Sequence, residues 1–196
     1  VPLSDHALRA CGAALEMEKT MTALQENWRI QGLPPLVARI GVHSGSVVAG
    51  NVGSRERFNY TVLGDTVNLA SRLEGVNKVY GTRILLSEDT CKYVRDRFLV
   101  RELDLVQVKG RGQPVTIYEL LGDAPPDGNP PWLKHFAAGL EAYRQRQWEE
   151  AAQAFNEVLH LKPQDRPTQV FLGRCRFFAT APPPENWRGV FVLEAK

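Results

Sequence analysis

The sequence of 196 residues has few cysteines and almost no excess of charge of either sign. Its three cysteines, Cys11, Cys91 and Cys175, lie far apart and form no CxxC pair, and its four histidines form no HExxH motif. This spacing argues against a zinc site and a disulfide framework, and it favours three reduced thiols, as in a cytoplasmic protein.

Long apolar runs are absent as well. No stretch reaches the ~18–20 apolar residues of a membrane-spanning helix, and no signal-peptide pattern opens the sequence. The net charge is only +2 and the basic residues are scattered, so no nucleic-acid partner is expected. Because the sequence begins with Val1 rather than methionine, we expect it to be part of a longer polypeptide. What is present is the composition of a globular protein, with 43% hydrophobic residues.

Helix and strand patterns alternate in the first part of the chain. Apolar residues at helical spacing predict a long helix over residues 5–31. We expect Asp65 to cap a second helix reaching about Asn77, and Ser87 to cap a third ending near Arg97. Apolar runs predict strands over residues 37–42, 46–49, 58–63, 83–86, 99–108 and 115–121. A Gly-Ser turn predicts that the first two strands form a hairpin. This interleaving is typical of α/β or α+β layering.

A segment rich in proline and glycine, residues 123–131, is predicted to be a linker. Residues 132–181 then carry only helical patterns, and four positions follow the ~34-residue tetratricopeptide spacing, namely Gly139, Ala151, Phe155 and Pro163. Only one repeat and the first helix of another are present, so we expect this unit to pack on its neighbour or on repeats from another chain. Its concave side is a candidate surface for a protein partner. Residues 182–196 are predicted to be an extended tail.

The segment most informative about function is residues 59–74, where a strand leads through Gly64 directly into a helix. Asn68 and Arg72 are four residues apart and therefore share a face of that helix. An amide suits a sugar oxygen, and a guanidinium suits a phosphate. The same spacing is also typical of a solvated polar face, so the pattern by itself leaves both interpretations open.

Several blocks of the sequence, taken together and in order, resemble the class III adenylate/guanylate cyclase catalytic domain of bacterial type. They are RIGVHSG at 39–45, GNVGS at 50–54, YTVLGDTVNLASRLE at 60–74, KGRG at 109–112 and IYEL at 117–120. The resemblance covers about residues 1–121. It implies an α+β fold, part of the ferredoxin-like cyclase fold in residues 1–122, followed by the small all-α tetratricopeptide-like unit.

In that family two catalytic domains face each other, and each active site lies between them. The 3′-hydroxyl of a nucleoside triphosphate closes onto the α-phosphate, and pyrophosphate leaves. By motif position, the resemblance implies that Thr61 reads the base, Asn68 contacts the ribose, Arg72 stabilises the phosphate and Lys109 binds phosphate. Threonine at the base-reading position favours ATP, and hence cyclic AMP as product. Guanylate cyclase is one alternative, and a non-catalytic regulatory interaction module is the other.

The resemblance also implies where the ligands of the metal ion lie. The family's two metal-binding aspartates precede the long first helix, so the ligands of Mg²⁺ or Mn²⁺ are expected upstream of residue 1 and not in this chain. We therefore expect the chain alone to be inactive, and the active protein to be a homodimer or a pair with a second cyclase domain. Many bacterial relatives carry membrane-bound sensors, so a membrane-tethered parent with this part in the cytoplasm is compatible with the resemblance.

Overall fold

The structure is a computed structural model that describes residues 3–34, 36–54, 57–108 and 112–193. Its helices are α1 (His6–Ile30), α2 (Asp65–Tyr80), α3 (Glu88–Val94), α4 (Pro131–Arg144), α5 (Trp148–Leu161) and α6 (Arg166–Thr180). Its strands are β1 (Ile40–Val42), β2 (Val48–Gly53), β3 (Phe58–Leu63), β4 (Ile84–Ser87), β5 (Phe98–Gln107), β6 (Val115–Asp123) and β7 (Val190–Val192). No helix in these ranges is long and apolar enough to cross a membrane.

One sheet, in the order β1-β4-β6-β5-β7, forms the centre of the molecule. The pairs β1–β4 and β5–β7 are parallel, and β4–β6 and β5–β6 are antiparallel. Every residue of β4 is buried because helices cover both faces of the sheet. Ile84 and Leu86 face α1 and α3, whereas Leu85 between them faces α2 and the C-terminal helices. The predicted α+β class is confirmed.

Helix α1 packs on the sheet only through its first half. Ala7, Cys11 and Ala14 are buried there, at the spacing of one helix face. Further along, Met17 and Ile30 are exposed. The apolar pattern of residues 5–31 therefore predicts the helix correctly. Only the first half of its apolar face packs against other described residues.

We call α4, α5 and α6 the helical unit. Its aromatic core shares one continuous apolar cluster with α2 and the sheet, formed on the helical side by Phe136, Tyr143, Phe155 and Phe171. Gly139 allows α4 and α5 to approach closely, because a Cβ there would come within 2.7 Å of the Phe155 ring. The helical unit thus packs on its neighbour, one of the two arrangements expected from the sequence.

The predicted hairpin between residues 37–42 and 46–49 is wrong. β1 pairs with β4 in parallel, with Ile40 opposite Ile84, and β2 pairs with β3 in a separate sheet, with Val48 opposite Leu63. β1 is a short, half-buried strand at the edge of the main sheet, and a crossover that contains the β2–β3 hairpin and α2 returns the chain to β4. The Gly-Ser pair instead lies within an irregular stretch, residues 43–47, ahead of β2.

Candidate active site

Thr61 lies in β3, opposite Gly50 of β2. The β2–β3 hairpin stands apart from the main sheet as its own two-stranded sheet, and Thr61 is exposed on it. Large apolar side chains of the hairpin are exposed as well, at Val48, Phe58, Tyr60 and Leu63. A group of exposed large apolar side chains on one hairpin is typical of a surface that another protein segment covers.

Gly64 joins β3 to α2. Its φ of +145° is a conformation that favours glycine, and its carbonyl accepts the N–H of Val67 at 3.0 Å. The expectation that Asp65 caps this helix is wrong. Gly64 occupies the N-cap position, and Asp65 is the first helical residue. Thr66 Oγ1 donates to the carbonyl of Ser46 at 2.9 Å, which ties the start of α2 to the segment before β2.

Asn68 and Arg72 lie one turn apart on α2 and close to Gly64. Leu69 and Leu73 follow them directly and are buried against the sheet. Consecutive helical residues are about 100° apart around the axis, so Asn68 and Arg72 lie to one side of these buried leucines. Asn68 is exposed and Arg72 is half-buried. Within the described part of the chain, neither side chain forms a hydrogen bond or an ion pair. The structure thus leaves an amide and a guanidinium available on one helix face.

The middle of α2 is fixed to β1. A Cβ on Gly41 would lie 2.2 Å from the carbonyl oxygen of Ala70, so only glycine allows strand and helix to come this close. Asn77 Nδ2 donates to the carbonyl of Ile40 at 3.1 Å. The Gly41 contact fixes α2 near Asn68 and Arg72, and the Asn77 contact fixes its last turn.

The C-terminal end of α2 is fixed by side chains that the sequence analysis did not single out. Tyr80 donates its hydroxyl to Asp104 Oδ2 of β5 at 2.5 Å, and Arg174 of α6 donates to the same oxygen at 2.6 Å. Burial raises the pKa of the Asp104 carboxyl, while its contacts with Arg174 and Tyr80 act in the opposite direction. Burial also raises the pKa of the Tyr80 hydroxyl well above its usual value. No sequence motif predicts this cluster, because its members come from three elements that are distant in sequence.

A second buried cluster joins the helical unit to the sheet. Arg101 of β5 donates to Asp165 Oδ2 at 2.8 Å and also bonds to Glu119 of β6. Burial by itself would raise the pKa of Asp165, but the hydrogen bond and charge of Arg101 outweigh it and hold that pKa below its usual value. Asp165 also caps α6 by accepting the N–H of Thr168 at 3.1 Å.

One predicted site residue, Lys109, lies outside the described residues. The metal ligands were expected upstream of residue 1, and the described ranges contain no group of three or more His, Cys, Asp or Glu side chains that could hold a metal ion. The carboxylates nearest in sequence to Asn68 and Arg72 are Asp65, which is exposed at the start of α2, and Glu74, which pairs with Arg39. The described residues therefore do not form a divalent-metal site on their own.

Comparison with known proteins adds to this geometry. Adenylate cyclase 1 of Rhizobium meliloti is 44% identical over 123 residues, which is 62% of this chain and 18% of that protein. The terminal-differentiation specific adenylate cyclase of Dictyostelium discoideum is 32% identical over 185 residues, which is 89% of this chain and 8% of that protein. The chain thus spans less than a fifth of the length of these relatives.

The fold has counterparts among solved structures. The adenylyl cyclase CyaB from P. aeruginosa superposes with a TM-score of 0.56 at 32% identity, covering 65% of this chain and 64% of that one. Residues 2–122 match the family described as the adenylate and guanylate cyclase catalytic domain. This match includes Thr61, Asn68 and Arg72 and more than half of the chain. The protein therefore belongs to the adenylate and guanylate cyclase catalytic-domain family.

Proposed function

We propose that the polypeptide containing this chain is an adenylate cyclase that forms cyclic AMP and pyrophosphate from ATP. The observation that carries the proposal is the placement of Asn68 and Arg72, which lie on one accessible face of α2 just beyond the Gly64 turn, with Thr61 on the strand before it. The names of the Rhizobium and Dictyostelium relatives support ATP as the substrate.

Each side chain has a defined part in this proposal. Asn68 binds the ribose and orients its 3′-hydroxyl towards the α-phosphorus, which lowers the entropic cost of reaching the reacting geometry. The 3′-oxygen gives up its proton to water and bonds to the α-phosphorus, and the bond from that phosphorus to the oxygen bridging to the β-phosphate breaks as pyrophosphate leaves. Arg72 donates to the phosphoryl oxygens, where negative charge builds up in the transition state.

Thr61 determines the base in this proposal. Its hydroxyl both donates and accepts hydrogen bonds, so it can accept from the amino group of adenine. A hydroxyl discriminates less firmly than a carboxylate, because it also pairs with a carbonyl. Guanylate cyclase is therefore the second candidate, and the family, whose description covers both activities, allows it. Lys109 is proposed as a further phosphate ligand.

The metal ion and the second half of the site are proposed to come from other residues. Mg²⁺ or Mn²⁺ neutralises triphosphate charge in such reactions, and we place its ligands outside the described part of this chain, upstream of residue 1. The exposed apolar side chains of the β2–β3 hairpin support a partner surface, which we assign to a second copy or a second cyclase domain. No step above depends on where the metal is bound.

The division of the chain is also a proposal. We assign residues 1–122 to the C-terminal portion of the cyclase domain, 123–131 to a linker, 132–181 to a tetratricopeptide-like unit and 182–196 to the tail. The close contact of Gly139 with Phe155 and the burial of Ala151 support the repeat. A cytoplasmic location agrees with three free cysteines and a nucleotide substrate. A protein partner of the helical unit is a proposal as well.

The proposal is tested by assaying the full-length polypeptide and the isolated chain with ATP or GTP and Mg²⁺ or Mn²⁺, with cyclic nucleotide measured by chromatography. We expect cyclic AMP from the full-length protein and none above background from the chain alone. A full-length protein without either activity contradicts the proposed reaction. Cyclic AMP formation by the isolated chain instead contradicts the assignment of the metal ligands to other residues.

A further inference from the structure

The helical unit reaches the helix that carries Asn68 and Arg72. Tyr80, the last residue of α2, is fully buried, and its ring centroid lies 6.4 Å from that of Phe171 in α6. Arg174, one turn further along α6, is close enough to donate to the Tyr80 hydroxyl at 3.1 Å. The end of α2 therefore contacts the helical unit through a ring and through a hydrogen bond.

The Arg174 guanidinium is held firmly in this position. It donates to both Asp104 and Tyr80, and its charged group lies 3.7 Å from the ring centroid of Phe191 in β7 and 5.1 Å from that of Phe171. The side chain of Asp104 is completely buried, so its Oδ2 depends on Arg174 and Tyr80, while its Oδ1 accepts the N–H of Leu105 at 2.7 Å. Tyr80, Asp104 and Arg174 thus form one cluster that joins α2, β5 and α6.

Because Tyr80 is part of α2, a displacement of this cluster is expected to shift α2. Tyr80 lies about two helical turns, or about 12 Å, beyond Arg72. A regular helix packed against a sheet moves as a unit, and a displacement near 1 Å at a reacting group lowers a rate strongly. The orientation of α2 is therefore set at its middle by Gly41 and at its far end by the helical unit.

We propose that Arg174 is a positioning residue, through which the helical unit fixes α2 and so aligns Asn68 and Arg72. This inference rests on the proposed function of those two side chains. In this proposal the helical unit contributes to catalytic turnover by orienting α2, in addition to any role in binding a partner. Arg174 acts through Tyr80 and Asp104 and does not contact the nucleotide.

The second cluster of the same interface is a matched control. Arg101, like Arg174, is a buried arginine that joins the sheet to the helical unit, with Asp165 and Glu119 as partners. None of these three residues belongs to α2. Loss of Arg101 therefore weakens the attachment of the helical unit without removing a contact to the end of α2.

The test compares Arg174→Met, Arg174→Lys and Arg101→Met in the full-length protein, at a temperature at which circular dichroism shows each variant to be folded. Both methionine variants are expected to lower Tm. Arg174→Met is expected to lower kcat by ~10-fold or more with KM within ~2-fold, because alignment rather than binding is lost. Arg174→Lys should recover part of kcat, and Arg101→Met should retain kcat within ~2-fold. Equal kcat values in Arg174→Met and Arg101→Met overturn the proposal.

If Arg174→Met does not fold, Tyr80→Phe decides the question, because it removes only the hydroxyl and keeps the buried ring. A loss of ~3-fold or more in kcat at unchanged KM supports the proposal, and an unchanged kcat overturns it.

Hydrogen exchange separates this inference from the proposed reaction. We expect the amides of α2 around Asn68 and Arg72 to exchange faster in Arg174→Met than in Arg101→Met, whatever the reaction is. Equal exchange in the two variants overturns the positioning role. A wild-type protein without cyclase activity instead contradicts the proposed function, and the exchange measurement still reports whether Arg174 holds α2.

Discussion

Gly41 of β1 lies so close to α2 that a Cβ on it would come within 2.2 Å of the Ala70 carbonyl oxygen and within 2.5 Å of the Glu74 backbone nitrogen. Both contacts are to backbone atoms, which cannot rotate away as the end of a side chain can. β1 and α2, the helix that carries Asn68 and Arg72, thus make a close backbone contact at Gly41.

We expect Gly41→Ala to destabilise the protein by about 2–3 kcal/mol, because the added methyl group forces β1 and α2 apart. Chemical denaturation measures this change. Gly75→Ala is the matched control, since Gly75 lies within α2 and a Cβ added there would meet no described atom within 4 Å. That variant should be more stable than wild type by about 0.5–1 kcal/mol. Equal stability of the two variants would show that the close approach has no energetic consequence.

We expect Asn68→Ala and Arg72→Ala, each in the full-length protein, to lower kcat by ~10²–10³-fold with milder effects on KM. Each substitution removes one contact that forms fully only in the transition state. Lys78→Ala is the control, because Lys78 is exposed on the same helix and distant from the Gly64 turn. Near-normal turnover in either alanine variant contradicts the role of that residue.

Thr61→Ala should weaken the preference for ATP over GTP more than it slows the reaction. The substitution removes the hydroxyl that contacts the base and leaves the backbone pairing of Thr61 with Gly50 in place. The preference is read from a competition assay with both nucleotides, and Thr61→Ser, which keeps the hydroxyl, should retain it. An unchanged preference in Thr61→Ala contradicts base reading by this residue.

Asp165 makes folding stability depend on pH. Its folded pKa lies below the ordinary 3.8, so its contribution is fully present above that value and is lost as the pH falls through the folded pKa. Asp165→Asn keeps the ability to cap α6 but loses the charge that Arg101 requires. We expect it to lower the free energy of unfolding by about 3 kcal/mol at neutral pH.

The cost of Asp165→Asn should be constant from pH 8 to about pH 5 and should shrink below about pH 4, because wild-type Asp165 then takes up a proton on unfolding. Denaturation at several pH values measures it. Asp127→Asn is the control, since Asp127 is exposed in the segment between β6 and α4, and it should change stability little at any pH. A cost of Asp165→Asn that does not change with pH contradicts the role of the ionised carboxylate.

Local signals in the sequence determined much of the fold. Helical spacing over residues 5–31 predicted α1, and the apolar run before Gly64 predicted β3, whose bounds match the prediction. The positions of Thr61, Asn68 and Arg72 on one strand and one helix also follow from sequence, because strand, turn and helix are consecutive. The roles of these three residues stay predictions.

Contacts between distant segments were decided only by the tertiary structure. The Gly-Ser turn predicted a hairpin, yet β1 pairs with β4, because the packing of α2 against both strands outweighs the local turn signal. The joining of Tyr80, Asp104 and Arg174 has no pattern in the sequence, since their positions follow from how α2, β5 and α6 pack. Periodicity determines which face of an element is apolar, whereas shape and charge matching in three dimensions determine which other element covers it.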